Sequence, residues 1–195
     1  MENRWTQAAT ILRPTIEVCG VRLLPFCLRH RVALNAINSP AIDLDKPMTP
    51  KHLMAAVRIL ASSTLEEIRR PHTLREKWWV SRLTYSRSLM VEEMAKLTIY
   101  MEAQSLWPRF WVKEGQSKNS PPIPWELSII SSLLRGGCTL EEAWTMPEAG
   151  AVWLHIANLM ATGADVKIVS DHEWEAMEKF KEAQANKQPQ QPITQ

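Results

Sequence analysis

Asp171-His172-Glu173-Trp174 has the start of a zinc-protease helix, in which a His-Glu pair needs a second histidine one turn on so that two imidazoles share a face. The residue four positions after His172 is Ala176, so that chemistry is not expected. His155 stands between Leu154 and Ile156 with no cysteine or histidine at ligand spacing, and reads as a structural histidine. Cys138 precedes a helix start, where a thiolate is favoured, yet no base accompanies it. Gly136-Gly137 lacks the following Lys-Ser/Thr of a phosphate loop, and no Gly-x-Ser-x-Gly elbow occurs. No catalytic residue, metal or cofactor is expected, and the chain reads as a non-enzyme.

Two sets of residues suit binding instead. In RRPHTLREKWWVSRLTYSR, helical spacing brings Arg75, Trp79 and Arg82 to one face, and Arg69, Arg70 and Arg87 add charge. Guanidinium groups flanking an indole can hold phosphates and stack on bases. The competing reading is a solvated arginine face over partly buried tryptophans, or one paired with the acidic rear half of the chain. The second set is apolar. Nine tryptophans and nine methionines exceed what 195 residues ordinarily carry; core packing accounts for most of them, and adaptable protein-binding grooves use the same two residue types. The candidate protein-binding residues are Trp125, Trp144, Trp153, Trp174 and Met160, on successive short helices of the rear half.

The elements that must carry these side chains are mostly helices. TIEVCGVRLLPF alternates around Gly20 as a short hairpin or extended arm and ends at Pro25. CLRHRVALNAIN is a helix with Leu28, Val32, Ala33 and Ile37 on one face, and AIDLDKPM a loop. Thr49-Pro50 caps and starts the helix of KHLMAAVRILAS, whose core stripe is Leu53, Val57 and Leu60. A long helical pattern runs from Thr73 to Trp107, interrupted at Ser86-Arg87-Ser88, with Met90, Met94, Leu97 and Met101 at helical spacing. PWELSIISSLLR closes at Gly136-Gly137, PEAGAVWLHIANLMAT closes at Gly163, and DVKIV is short and extended. Ser170 to Glu173 forms a capping box for a last helix with Trp174, Met177 and Phe180 inward.

TLEE occurs twice, at Thr64–Glu67 and Thr139–Glu142, each time ahead of a proline. Thr at the N-cap with Glu at N3 is a capping box, which by itself accounts for the tetrapeptide. The flanks also correspond. Pro50 and Pro124 start the preceding helices, Pro71 and Pro147 follow, and Trp78 and Trp153 come next, with offsets agreeing to within one residue. A duplicated helical unit is the alternative, and such units bury faces that neither copy buries alone.

Charge divides the chain as well. There are 17 basic and 11 acidic residues through Glu114, against 6 and 10 from Gly115 onward, while the whole carries only +2. That balance does not suit a dedicated nucleic-acid or membrane binder. The expected organisation is a basic helical front half, 1–114; a linker, 115–123, within KEGQSKNSPPIP; an acidic helical rear half, 124–185; and a disordered tail, 186–195. The fold class expected is all-α, an irregular multi-helix bundle with a short extended or β-hairpin element near the N-terminus. The apolar run AVWLHIANLMATGA is too short and too interrupted to span a bilayer. Three cysteines without a CxxC pair, and the opening MENRWTQ, lead to the expectation of a cytoplasmic, reducing setting.

VRLLPFCLRHRVALNAINSP, then LMAAVRILASS, then a proline-started helix ending in GG before CTLEEAWTMPEAGAVW, resembles the tail assembly chaperones of tailed bacteriophages and prophages over about half the chain. The resemblance implies a helical, non-enzymatic assembly factor that holds tape-measure or tail-tube subunits until assembly, with no catalytic residues to transfer. The expected partner is therefore a protein client. A nucleic-acid-binding accessory protein using the Arg69–Arg87 segment, or a structural component of the virion, are the alternatives.

Overall fold

The computed structural model describes residues 16–43, 46–104, 107–112, 123–169 and 171–185. The linker and tail expected at 115–123 and 186–195 fall almost wholly outside them, as does Ser170 with its expected cap. The described chain is mostly helical, with nine helices and two small antiparallel ribbons.

Strands β1 (Glu17–Val18) and β2 (Val21–Arg22) form the expected hairpin. Its two turn residues, Cys19 and Gly20, both have positive φ, the requirement of a type I′ turn whose twist matches that of the strands. Helix α1 (Leu28–Ala36) follows, ending at Asn38 in the left-handed region with the Ser39 amide bonded to the Leu34 carbonyl, a Schellman closure. The face expected for it is corrected. Leu28 and Leu34 are buried together with Arg29 and His30, whereas Val32 and Ile37 are exposed, because polar side chains of α1 serve backbone and carboxylate groups of its neighbours.

Helix α2 (Pro50–Leu60) starts on Thr49, whose hydroxyl accepts from the His52 amide, and Leu53, Val57 and Leu60 are completely buried. Short α3 (Leu65–Arg69) precedes α4 (Leu74–Tyr85) and α5 (Arg87–Gln104), which are separated at Ser86. Ser86 has extended backbone and its hydroxyl accepts from the Leu89 amide, so one residue ends one helix and caps the next. Then come β3 (Arg109–Val112), α6 (Trp125–Arg135), α7 (Leu140–Thr145), α8 (Glu148–Ala161), β4 (Val166–Val169) and α9 (Asp171–Ala185).

Both TLEE segments are complete capping boxes that open α3 and α7. A shift of 75 residues, 64 to 139, also takes Pro50–Leu60 onto Trp125–Arg135, so helix, short capped helix and helix recur in order. In the first unit α2 packs on α4, and in the second α6 packs on α8. Between them lies α1, which touches α2 and α7 and gives Leu34 to the front core and Leu28 to the rear one.

Strand β3 was not expected. RFWV pairs antiparallel with β4, Arg109 opposite Val169 and Val112 opposite Val166, and Phe110 packs on the rear core. The packing therefore crosses the linker on which the division into 1–114 and 124–185 rests. On α9, Trp174 and Met177 are half-buried but Phe180 is 64 % exposed, so the inward face expected there includes only the first two. Among the described residues no helix is long and apolar enough to cross a membrane.

Candidate functional site

The polar face of α1 joins the two units. Arg29, nearly buried, donates to the Ser63 carbonyl ahead of the first TLEE and to Glu141 in the second, at 2.7 Å. His30 bonds through Nε2 to the Ser62 carbonyl at 2.9 Å, and Asn35 donates to buried Glu126. Arg31 makes a two-pronged ion pair with Glu148, its Nη2 2.9 Å from Oε2, and Glu148 is only 1 % exposed. Burial pushes the Glu148 carboxyl up from the usual range, with the guanidinium pulling the other way. The same guanidinium lies against the rings of Phe26, Trp107 and Trp125 at 5.2, 4.7 and 5.2 Å. Basic residues of the front half are in this way spent on acidic residues of the rear half.

Beside this cluster, α5 and residues 40–42 and 46–48 border a groove of about 640 Å3. Met94, Leu97 and Met101 form its floor on α5, and Ile42 and Met48 supply the facing wall. Charged Arg31, Lys46 and Glu102 also reach it. Met90 and Leu97 of the expected methionine stripe are buried, while Met94 and Met101 are only partly so and line the groove. Periodicity marks all four alike as a core face and does not divide them.

The expected protein-binding residues do not line this groove. Trp125, 39 % exposed, belongs to the Arg31 cage and contacts Trp107 at 5.3 Å. Trp144 is half-buried against the rear core, the position of a packing wedge between helices. Trp153 is half-buried, Trp174 donates from its indole to Glu178 on its own helix at 2.9 Å, and Met160 is exposed at the end of α8. None of the five lines the second groove either, which lies between α6 and α8, measures about 350 Å3 and includes Leu127, His155 and Leu159. His155 Nδ1 is buried there without a hydrogen-bond partner among the described residues, and burial lowers its pKa.

The expected nucleic-acid face is also rearranged. Arg75 donates to the Gly20 carbonyl, and a side chain at Gly20 would come within 3.0 Å of that guanidinium and 3.5 Å of Trp79. Arg75 and Trp79 therefore clamp the hairpin turn onto α4, while the Cys19 amide donates to buried Glu93 on α5 at 2.6 Å. Arg70 pairs with Glu76 at 3.2 Å. Arg82 faces outward, over the Trp78 and Trp79 rings at 4.7 and 5.2 Å, and Arg69 and Arg87 are exposed. Cys138 is half-buried against the rear core, and among the described residues no three His, Cys, Asp or Glu side chains converge as metal ligands.

The chain matches no protein-family model, no curated protein and no solved structure.

Proposed function

We propose that this protein is a non-enzymatic assembly factor that holds an apolar helical segment of a client protein in the groove between α5 and residues 40–42 and 46–48. The methionine-lined groove is the observation that carries the reading. Met94 and Met101 lie seven residues apart, about 10 Å along the helix axis, which matches two turns of an amphipathic helix laid alongside. Unbranched methionine side chains adapt to differing surfaces, and the rim carries Glu102 and, paired with Asp43 at 2.8 Å, Lys46. The rigid support is the packing of α5 against the hairpin and the 23–26 segment, tied by Tyr100 to the Leu24 carbonyl at 2.6 Å.

The sequence resemblance narrows the client to a tape-measure or tail-tube protein of a tailed phage or prophage. Co-expression with the products of neighbouring genes tests both levels. The expected outcome is a long helical product that stays soluble only when this protein is present, and loses that protection with Met94→Asp and Met101→Asp, while thermal melting shows the double variant still folded. Protection that survives both substitutions would remove the groove from the proposal, and the absence of any dependent product would remove the assembly reading.

A further inference from the structure

Beside the turn clamp, the exposed face of α4 and the first turn of α5 border a third surface depression, of about 530 Å3. Trp78 and Tyr85 line it at 53 % and 88 % exposure, with Arg82 between them in sequence. The remaining lining is mainly hydroxyl: Ser81 on α4, Ser86 at the junction and Ser88 at the start of α5. Leu89 is the one aliphatic residue in that lining, and Glu92 the one acid, already bound by Lys96 at 2.7 Å. Arg82 is the one basic residue in the lining, and it and its neighbours in sequence Lys77 and Arg87 lie within ion-pair distance of no carboxylate among the described residues.

We infer that this face binds single-stranded nucleic acid, bases stacking on Trp78 and Tyr85 and phosphates meeting Arg82, Lys77 and Arg87. Three observations select that occupant. The uncompensated charge is positive, and a polyanion complements it. Three serines and a single aliphatic residue between the rings give an apolar protein anchor little to settle on, while Tyr85 and the part of Trp78 left exposed beside Arg82 offer ring surface to bases. The rings also lie seven residues apart on α4, about 10 Å along the axis and some three times the ~3.4 Å rise of a duplex strand, so they serve separate, unstacked bases. Arg82, stacked on two indoles, is held in place before any ligand arrives, which lowers the ordering cost of a phosphate contact. The site differs from the arginine face read from sequence, since Arg75 and Trp79 are committed to the hairpin turn and Trp78 and Tyr85 replace them. It is also separate from the methionine groove, so the two proposals fail independently.

Fluorescence anisotropy of the full chain with labelled 20-nucleotide oligo-dT, the same length of oligo-U, and a 20-base-pair duplex, each over a salt series, tests the inference. Single strands should bind more tightly than duplex, and affinity should fall as salt rises. Tyr85→Ala, at a side chain too exposed to support the fold, should weaken single-strand binding ~10-fold, and Trp78→Ala by at least as much. Arg82→Ala should lower the slope of log affinity against log salt by about 0.7, whereas Arg135→Ala on α6 should leave it unchanged. No binding at low salt, equal affinity for duplex, or affinity indifferent to Tyr85→Ala and Trp78→Ala would each overturn the inference. Binding of polyglutamate that competes with oligo-dT and ignores both ring substitutions would mark the face as a site for acidic protein segments instead, and overturn it as well.

Discussion

His30 shows how a single buried polar side chain couples this fold to pH. Its Nε2 bonds to the Ser62 carbonyl, its Nδ1 is buried without a hydrogen-bond partner among the described residues, and burial lowers its pKa, with the charge of Arg29 adding to that shift. Nε2 must therefore carry the proton, and a second proton on Nδ1 would place a charge in the core beside a guanidinium. Below its ordinary value of 6.5, the unfolded chain takes up a proton that the folded chain refuses. The stabilising contribution is thus fully present above pH 6.5, shrinks as the pH falls, and is gone below the lowered folded-state value. Urea unfolding at intervals from pH 7.5 to 5 should show stability declining over that window. His30→Gln, which can still donate to Ser62 but does not titrate, should flatten the decline, leaving a remainder from His155, whose pKa burial also lowers, and an opposing one from Glu148, whose pKa burial raises. An unchanged slope in the variant would mean that His30 is not the group responsible.

Among the elements, the short helices α3 and α7 depend most on their ends. Five- and six-residue helices satisfy few of their own backbone groups, so the capping boxes at Thr64 and Thr139 supply a large part of what holds them. Hydrogen bonds from Ser63 and Thr64 depress the Glu67 carboxyl, and those from Thr139 depress Glu142, as acceptors of local donors should be. Thr139→Ala should cost about 1 kcal/mol in urea melts, and Thr64→Ala a similar amount. The loss at 139 should also loosen the rear core, because α7 buries Ala143 and carries Glu141 to Arg29. Equal melting of wild type and both variants would mean that packing alone holds these helices.

For the whole molecule, α1 is the shared part. Arg29 touches both TLEE units, and Arg31 reaches Glu148 at the start of α8. Removing one partner of the second pair leaves an uncompensated buried charge: Arg31→Ala should destabilise by about 3–5 kcal/mol, since Glu148 has almost no access to water. The double substitution Arg31→Met with Glu148→Leu should recover much of that loss, because apolar replacements of similar volume avoid the desolvation of both charges. If the double variant is as unstable as the single one, the stacking of Arg31 on Phe26, Trp107 and Trp125 would account for the energy instead of the ion pair.

What neighbouring residues determine among themselves is legible in the sequence alone: the caps at Thr49, Thr64 and Thr139, the break at Ser86, the Gly20 turn, and the buried stripe Leu53–Val57–Leu60. Each of these is settled within a turn or two of chain, where hydrogen-bond reach and side-chain period decide the outcome. Tertiary packing decided the rest. No local pattern says that RFWV at 109–112 will find VKIV at 166–169, since a four-residue ribbon takes its partner from wherever the chain returns. Spacing could not tell Arg75, spent on the Gly20 carbonyl, from Arg82, left facing outward on two indoles. The methionines of α5 likewise share one period, yet Met94 and Met101 line a groove with residues 40–42 and 46–48 while Met90 is core. Period places a side chain on a face of its helix; what covers that face is set by elements distant in sequence, and so is the chemistry left open to a partner.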